Sequence, residues 1–266
     1  MMRKIENIQE LHGILLDIAK EFDKVCRENN IPYYMLGGTM LGAVRHSGFI
    51  PWDDDMDFGI PRAYYDRFLD IAPKYLPESY RILTIDNTER IIYGFAKMED
   101  TSTVIKEIYM KESIKPVGVH IDIFPLDFTN NNFGIFSRNK IITYLLGFQA
   151  YRFLSIRERS LMKKVIAMLI KVVLFPLDKK TIIRYIRQHL VDSSGPNLAN
   201  HFGAWGIREI VPCGYMGNPQ LFQFENIQLY GVAEADNYLT SLYGDWRKLP
   251  PLEKQKHHMY EAYKFE

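Results

Sequence analysis

Four of the five residues from Asp53 to Asp57 are aspartates, yet Trp52 and Phe58 bracket them and no polar tail surrounds them. In an extended strand side chains alternate faces, so Asp55 and Asp57 share one face while Met56 and Phe58 point to the other. Adjacent carboxylates repel each other and are costly to hold near a core. A divalent cation removes that cost. Hard oxygen ligands suit Mg2+ or Mn2+, which also bridge phosphate oxygens. The competing reading is a solvated acidic loop with no ligand.

The segment just upstream shifts the balance. A short apolar strand, 33–36, runs into Gly37-Gly38-Thr39, and residues 40–45 read as a short helix. Glycines at such a turn let backbone N–H groups approach a phosphate closely, with a helix start just behind. A Gly-Gly turn alone is a weak motif; one placed shortly before an Asp-x-Asp strand is a stronger one. The combination resembles the nucleotidyltransferase superfamily, which uses a third carboxylate from a neighbouring strand. Asp122 in GVHIDIFPLD fills that role here. Alternation puts His120, Asp122 and Phe124 on one face, and an Asp between two isoleucines is expensive without a partner. An aspartate paired at a sheet edge is the alternative for Asp122.

The rest of the chain reads as an α/β (α+β) fold. Apolar residues Ile8, Leu11, Leu15, Ile18, Phe22 and Val25 recur at helical spacing, which predicts a helix over 5–29 ended by Asn29-Asn30 and Pro32. A helix over 62–69 is expected to stop before Pro73. Strands are expected at 80–85, 91–98, 103–109 and 117–124, giving a mixed sheet flanked by helices. The organisation expected is a core over 1–129 carrying the carboxylates. A mainly helical lobe and an aromatic C-terminal segment, 130–266, complete the same globule, with a last helix over 234–243.

A narrower resemblance lies in GGTMLGAVRHSGFIPWDDDMDFGIPR, in His120-Ile-Asp122-Ile-Phe-Pro125-Leu-Asp127, and in Tyr243-Gly244-Asp245-Trp246 before Pro250-Pro251. These segments bracket most of the chain and resemble LicD-type phosphotransferases, the family that includes fukutin and the fukutin-related protein. The resemblance implies a nucleotidyltransferase-like fold acting on a CDP-linked donor. It implies that Asp55, Asp57 and Asp122 bind Mg2+ (or Mn2+) and that a phosphocholine or related phospho-alcohol passes to a glycan hydroxyl, releasing CMP. The acceptors implied are glycans or lipid-linked glycans such as lipopolysaccharide or teichoic acid. A conventional nucleotidyltransferase releasing pyrophosphate, and a catalytically silent glycan-binding relative, are the alternatives.

Donor-phosphate contacts are expected from Gly37, Gly38, Thr39, Arg45, His46 and Lys97, since an Arg–phosphate pair is bidentate and strong. For His46 a loop-capping role competes, and for Lys97 that of an ordinary strand-end lysine. Asp53 and Asp54 read as turn-forming or supporting residues, and Trp52 as packing. Tyr243 and Trp246 offer an aromatic wall for a quaternary ammonium, with core packing as the competing role.

Composition bounds the remaining classes. The 266 residues carry a formal net charge of +1, so there is no basic field for nucleic acid, and no nucleic-acid partner is expected. Cys26 and Cys213 form no ligand spacing and read as reduced thiols. No signal peptide or spanning helix is evident, so a cytoplasmic protein is expected. The stretch 161–180 combines apolar bulk with five lysines. It reads either as a buried lobe with snorkelling lysines or as a helix in peripheral contact with the inner membrane face.

Overall fold

In the computed structural model, residues 2–88, 91, 94–107, 116–130, 181, 184, 194–255 and 260–266 are described. The predicted first helix forms as α1 (Ile8–Glu28), with the Asn7 side chain accepting from the Glu10 N–H at 2.9 Å as its N-cap. Its predicted apolar face is buried: Leu11, Leu15, Ile18, Phe22 and Val25 all lie in the core. Phe22 packs on Phe58 and Tyr33, at ring-centroid distances of 4.7 and 4.9 Å. This anchors the helix beneath the acidic strand.

The short strand β2 (Tyr34–Met35) leads into α2 (Gly37–His46), and β3 (Asp57–Pro61) leads directly into α3 (Arg62–Tyr75). Two predicted boundaries change here. Helix α2 begins at Gly37, so the glycines form its first turn and do not precede it. Helix α3 runs through Pro73, which faces solvent near the helix end. There little helix follows to be kinked.

Strands β4 (Tyr80–Leu83), β5 (Ala96–Asp100), β6 (Thr103–Glu107) and β7 (His120–Thr129) follow. Residues described beyond the first half add β8 (Asn197–Ala199), β9 (Ile210–Pro212), α4 (Cys213–Met216), β10 (Gln220–Phe224), β11 (Ile227–Gly231), α5 (Ala235–Tyr243) and β12 (Tyr260–Phe265). The main sheet has the order β2-β3-β7-β5-β4, with β8 on the far half of β7 and β9 on β8. Within it β3 and β7 are parallel and the other pairs antiparallel, so the sheet is mixed as expected. A second sheet joins β1 (Met2–Lys4), β12 and β6.

One buried ion pair fastens the parallel strands. Arg62, the first residue of α3, grips Asp127 on β7 through two hydrogen bonds, at 2.7 and 2.9 Å. The Asp127 side chain is fully buried. A bidentate guanidinium–carboxylate pair of this kind fixes geometry as well as charge.

Most of the predicted helical lobe, including 161–180, lies outside the described residues. Cys26 and Cys213 are free thiols. Among the described residues no helix is long and apolar enough to cross a membrane.

Candidate active site

Parallel pairing sets the centre of the site. Asp57 opens β3 and lies directly opposite Asp122 on β7. Residues paired across neighbouring strands point to the same face, so both carboxylates stand on one side of the sheet. Met56 and Phe58, with no exposed surface, point away into the core. Asp55 lies just before the strand, and its charge is the largest of those that act on Asp57. Burial first, then the charges of Asp55, Asp122, Asp53 and Glu209, hold the Asp57 carboxyl well above its ordinary range. Burial and the neighbouring carboxylates thus penalise the ionised form of Asp57 unless positive charge compensates it.

Lys97 supplies part of the compensation. It pairs with Asp122 across β5 and β7, and its Nζ donates to Asp122 Oδ1 at 2.5 Å. The same ammonium lies 2.9 Å from His120 Nε2, while His120 Nδ1 lies 2.8 Å from the Gly118 carbonyl. A carbonyl only accepts, so Nδ1 carries the proton and Nε2 accepts from Lys97. Burial and the Lys97 charge push the His120 pKa down to about 4, in keeping with that neutral tautomer.

The helix start lies against this cluster. Gly37 adopts φ +49°, and a Cβ there would stand 3.5 Å from Asp57 Oδ2 and 3.6 Å from the Tyr243 hydroxyl. At Gly38 a Cβ would fall 2.5 Å from Asp53 Oδ2, so only glycine lets that carboxylate lie over the turn. Two of the expected phosphate donors are engaged within the chain. The Gly37 N–H donates to the Tyr238 hydroxyl at 3.1 Å. The Thr39 hydroxyl, buried, accepts from the Asp57 N–H at 2.8 Å and so locks the helix to the strand.

Arg45 and His46 occupy the other end of α2, roughly 13 Å along its axis from Gly37. Arg45 donates to the Trp246 carbonyl at 2.9 Å and to His46 Nε2 at 3.0 Å. The structure therefore gathers Gly37, Gly38, Thr39, Lys97, Asp55, Asp57 and Asp122; Arg45 and His46 start from the opposite end of α2, with the Arg45 guanidinium near enough to Tyr243 to interact with it electrostatically. Asp53 forms the turn: its N–H donates to the Ile50 carbonyl, and its own carbonyl lies 2.6 Å from His12 Nε2. Asp54 is buried, and Trp52 packs against the core, as its packing role requires.

The aromatic wall takes a different form from the one expected. Trp246 is buried; its N–H donates to Asp236 and the Arg247 guanidinium covers its ring at 4.3 Å. Core packing describes it. Tyr243 instead lies at the acidic cluster. Burial and then Asp57, Asp53, Glu209 and Asp55 push its hydroxyl far above the ordinary range. Its ring meets Trp205 edge to face at 4.9 Å, and Trp205 is 44% exposed.

Sequence reasoning missed Trp205, Tyr238 and Glu209. Glu209 is 8% exposed and accepts from the Trp205 N–H at 3.0 Å. Burial raises its pKa to about 7. The loop between β8 and β9 wraps so tightly around it that a Cβ on Gly203 would overlap its carboxylate. None of this is written in a local motif: the pairing of β8 and β9 brings in Trp205 and Glu209, and α5 brings in Tyr238.

A pH prediction follows from Glu209. Its folded-state pKa exceeds the ordinary 4.5, so between that value and about 7 the folded chain binds more protons than the unfolded one. Stability therefore falls as pH rises through this window, by on the order of 3 kcal/mol. Urea unfolding from pH 4.5 to 8 should give a stability difference, wild type minus Glu209→Gln, that falls through this window, the contributions of His120 and Asp57 being common to both proteins.

The donor chemistry of the cluster fits a hard divalent cation: it offers carboxylate oxygens only, and their mutual repulsion favours a cation among them. Among the described residues, however, no three such side chains are already drawn together as a ligand set. Asp122 is turned onto Lys97, which acts as its counter-ion. Ligation by Asp122 requires that contact to be shared or released.

A mixed sheet that presents paired carboxylates beside a glycine-started helix is the arrangement expected of a nucleotidyltransferase-type domain. Residues 30–153 match the family described as LicD/FKTN/FKRP, nucleotidyltransferase domain. Lipopolysaccharide cholinephosphotransferase LicD of Haemophilus influenzae is 29% identical over 98% of this chain and 99% of its own length. Human ribitol 5-phosphate transferase FKRP is 41% identical over 46 residues, 17% of this chain and 9% of that protein. An uncharacterized protein of Rickettsia typhi is 36% identical over 44% of this chain and 36% of its own length. Residues 30–153 thus resemble the nucleotidyltransferase domain of that family, and the likeness to LicD runs over nearly the whole chain.

Proposed function

We propose that this protein transfers a phospho-alcohol, phosphocholine in the first instance, from a CDP-linked donor to a hydroxyl of a glycan and releases CMP. The observation that carries the reading is the register of β3 against β7. It sets Asp57 beside Asp122 at the start of α2, in a chain similar over nearly its whole length to a cholinephosphotransferase.

In this reading Asp55, Asp57 and Asp122 hold Mg2+ or Mn2+. When bound, the ion supplies Lewis-acid polarisation of the donor's phosphate oxygens. The chain's own residues do the rest. The first turn of α2 faces its dipole toward the diphosphate. Lys97 offsets negative charge beside Asp122 and is the ammonium available to the phosphoryl oxygens. The acceptor oxygen attacks the phosphorus bearing the choline ester, the bond from that phosphorus to the CMP oxygen breaks, and the acceptor proton passes to the Asp122 carboxylate. Positioning and fixed electrostatics supply most of the acceleration.

The test is a mass-spectrometric screen of CDP-choline, CDP-ribitol, CDP-ethanolamine and CDP-glycerol with Mg2+ and candidate glycans. CMP together with a phospho-alcohol-modified glycan is the expected product from CDP-choline. Pyrophosphate release from a nucleoside triphosphate, with no turnover of any CDP donor, would replace this reading by nucleotidyl transfer.

A further inference from the structure

Trp205 and Tyr243 come from distant parts of the chain and meet edge to face at 4.9 Å, with an interplanar angle of 79°. Each corner of such a T is bounded by the faces of two rings, and ring faces carry the negative end of the aromatic quadrupole. Trp205 is 44% exposed, so part of its ring is open to a ligand. Its position is not casual. The Trp205 N–H is tied to Glu209 Oε1 at 3.0 Å, and the buried Glu209 carboxylate is gripped by the loop at Gly203. The Tyr243 hydroxyl and Asp57 Oδ2 flank the same point at Gly37. The corner is therefore aromatic on two sides and lies next to the Asp57 carboxylate.

We infer that Trp205 and Tyr243 form the wall that receives the quaternary ammonium of the transferred group, with Glu209 as the positioning residue that holds Trp205 in place. This rests on the reading that the group is phosphocholine, and it adds the residues that select it. A trimethylammonium is large, weakly hydrated and unable to donate a hydrogen bond. Aromatic faces in a negative field recognise it, and a polyol gains little from the same wall. Such a contact changes affinity by a factor of roughly 5 to 30.

The experiment compares binding of phosphocholine with that of 3,3-dimethylbutyl phosphate, its uncharged carbon isostere, to the full chain in Mg2+ by calorimetry. The wild type is expected to prefer phosphocholine by about tenfold or more. Trp205→Ala should reduce that ratio to below about twofold, and Trp205→Phe should keep part of it. Because Trp205 is at the surface, the variant is expected to fold, and a ratio is insensitive to losses of active protein. Glu209→Gln should lower the ratio less than Trp205→Ala does. An unchanged ratio in Trp205→Ala, or no preference in the wild type, overturns the wall. CMP release from CDP-choline, followed in parallel, reports on the transfer reaction separately. Turnover with an unchanged ratio removes the wall alone, and a lost preference without turnover removes the transfer reading alone.

Discussion

Asp57→Asn is expected to lower turnover by on the order of 10²–10³-fold while leaving the metal-free chain at least as stable as the wild type. The two effects have one origin. Asp57 stands opposite Asp122, with Asp55 and Asp53 close enough to raise its pKa together with burial. In the wild type that repulsion opposes folding and favours a cation; the amide removes both terms. Its backbone role is untouched, because the Asp57 N–H still donates to Thr39 and its carbonyl still accepts from the Leu36 N–H. Thermal unfolding with and without Mg2+ gives the decisive comparison. The wild-type midpoint should rise with Mg2+ through linkage, and that of the variant should rise much less. Full activity with unaltered metal dependence in Asp57→Asn would remove Asp57 from the proposed metal site.

The largest loss of stability is expected from breaking Arg62–Asp127. The Asp127 side chain has no exposed surface and receives both guanidinium hydrogen bonds. Arg62→Leu strands a carboxylate in the core and should cost about 3–5 kcal/mol, a large part of the stability of an ordinary domain. The double change Arg62→Leu with Asp127→Leu should be less damaging than Arg62→Leu alone, since both charges go together. Urea midpoints of the single and double variants test this directly. A double variant as unstable as the sum of its parts would mean that packing, and not charge, dominates there. The position sharpens the prediction: Arg62 follows β3 and Asp127 lies on β7, the two strands whose register sets Asp57 against Asp122. Loss of this pair should therefore impair activity even in molecules that remain folded.

Legibility in the sequence followed the range of the interactions. Helix α1 was readable because Leu11, Leu15, Ile18, Phe22 and Val25 repeat with the period of a helix, a local property. Met56 and Phe58 likewise announced that Asp57 faces away from the core, and the isoleucines flanking Asp122 did the same for β7. Tyr238 was not readable: nothing near Gly37 signals that its N–H is met by a hydroxyl from α5. Nor was the choice between Trp205 and Trp246 as the partner of Tyr243. Trp246 lies close to Tyr243 in sequence, yet Arg247 and Asp236 claim it, whereas Trp205 arrives through a loop held by Glu209. Pro73 failed for a different reason. The rule that ends helices at proline concerns interior positions, and Pro73 sits on the solvent side of a last turn.

Both ends of α2 are fastened by residues from the far end of the chain. The Gly37–Tyr238 and Arg45–Trp246 hydrogen bonds each span 201 residues. During synthesis at about 5–20 residues per second, the glycine turn and the aspartates leave the ribosome early and wait for roughly 10–40 s before the segment that fixes them exists. Throughout that interval the acidic cluster has its charges but not its clamp. The two ends of α2 are therefore fixed only once the segment carrying Tyr238 and Trp246 has been made.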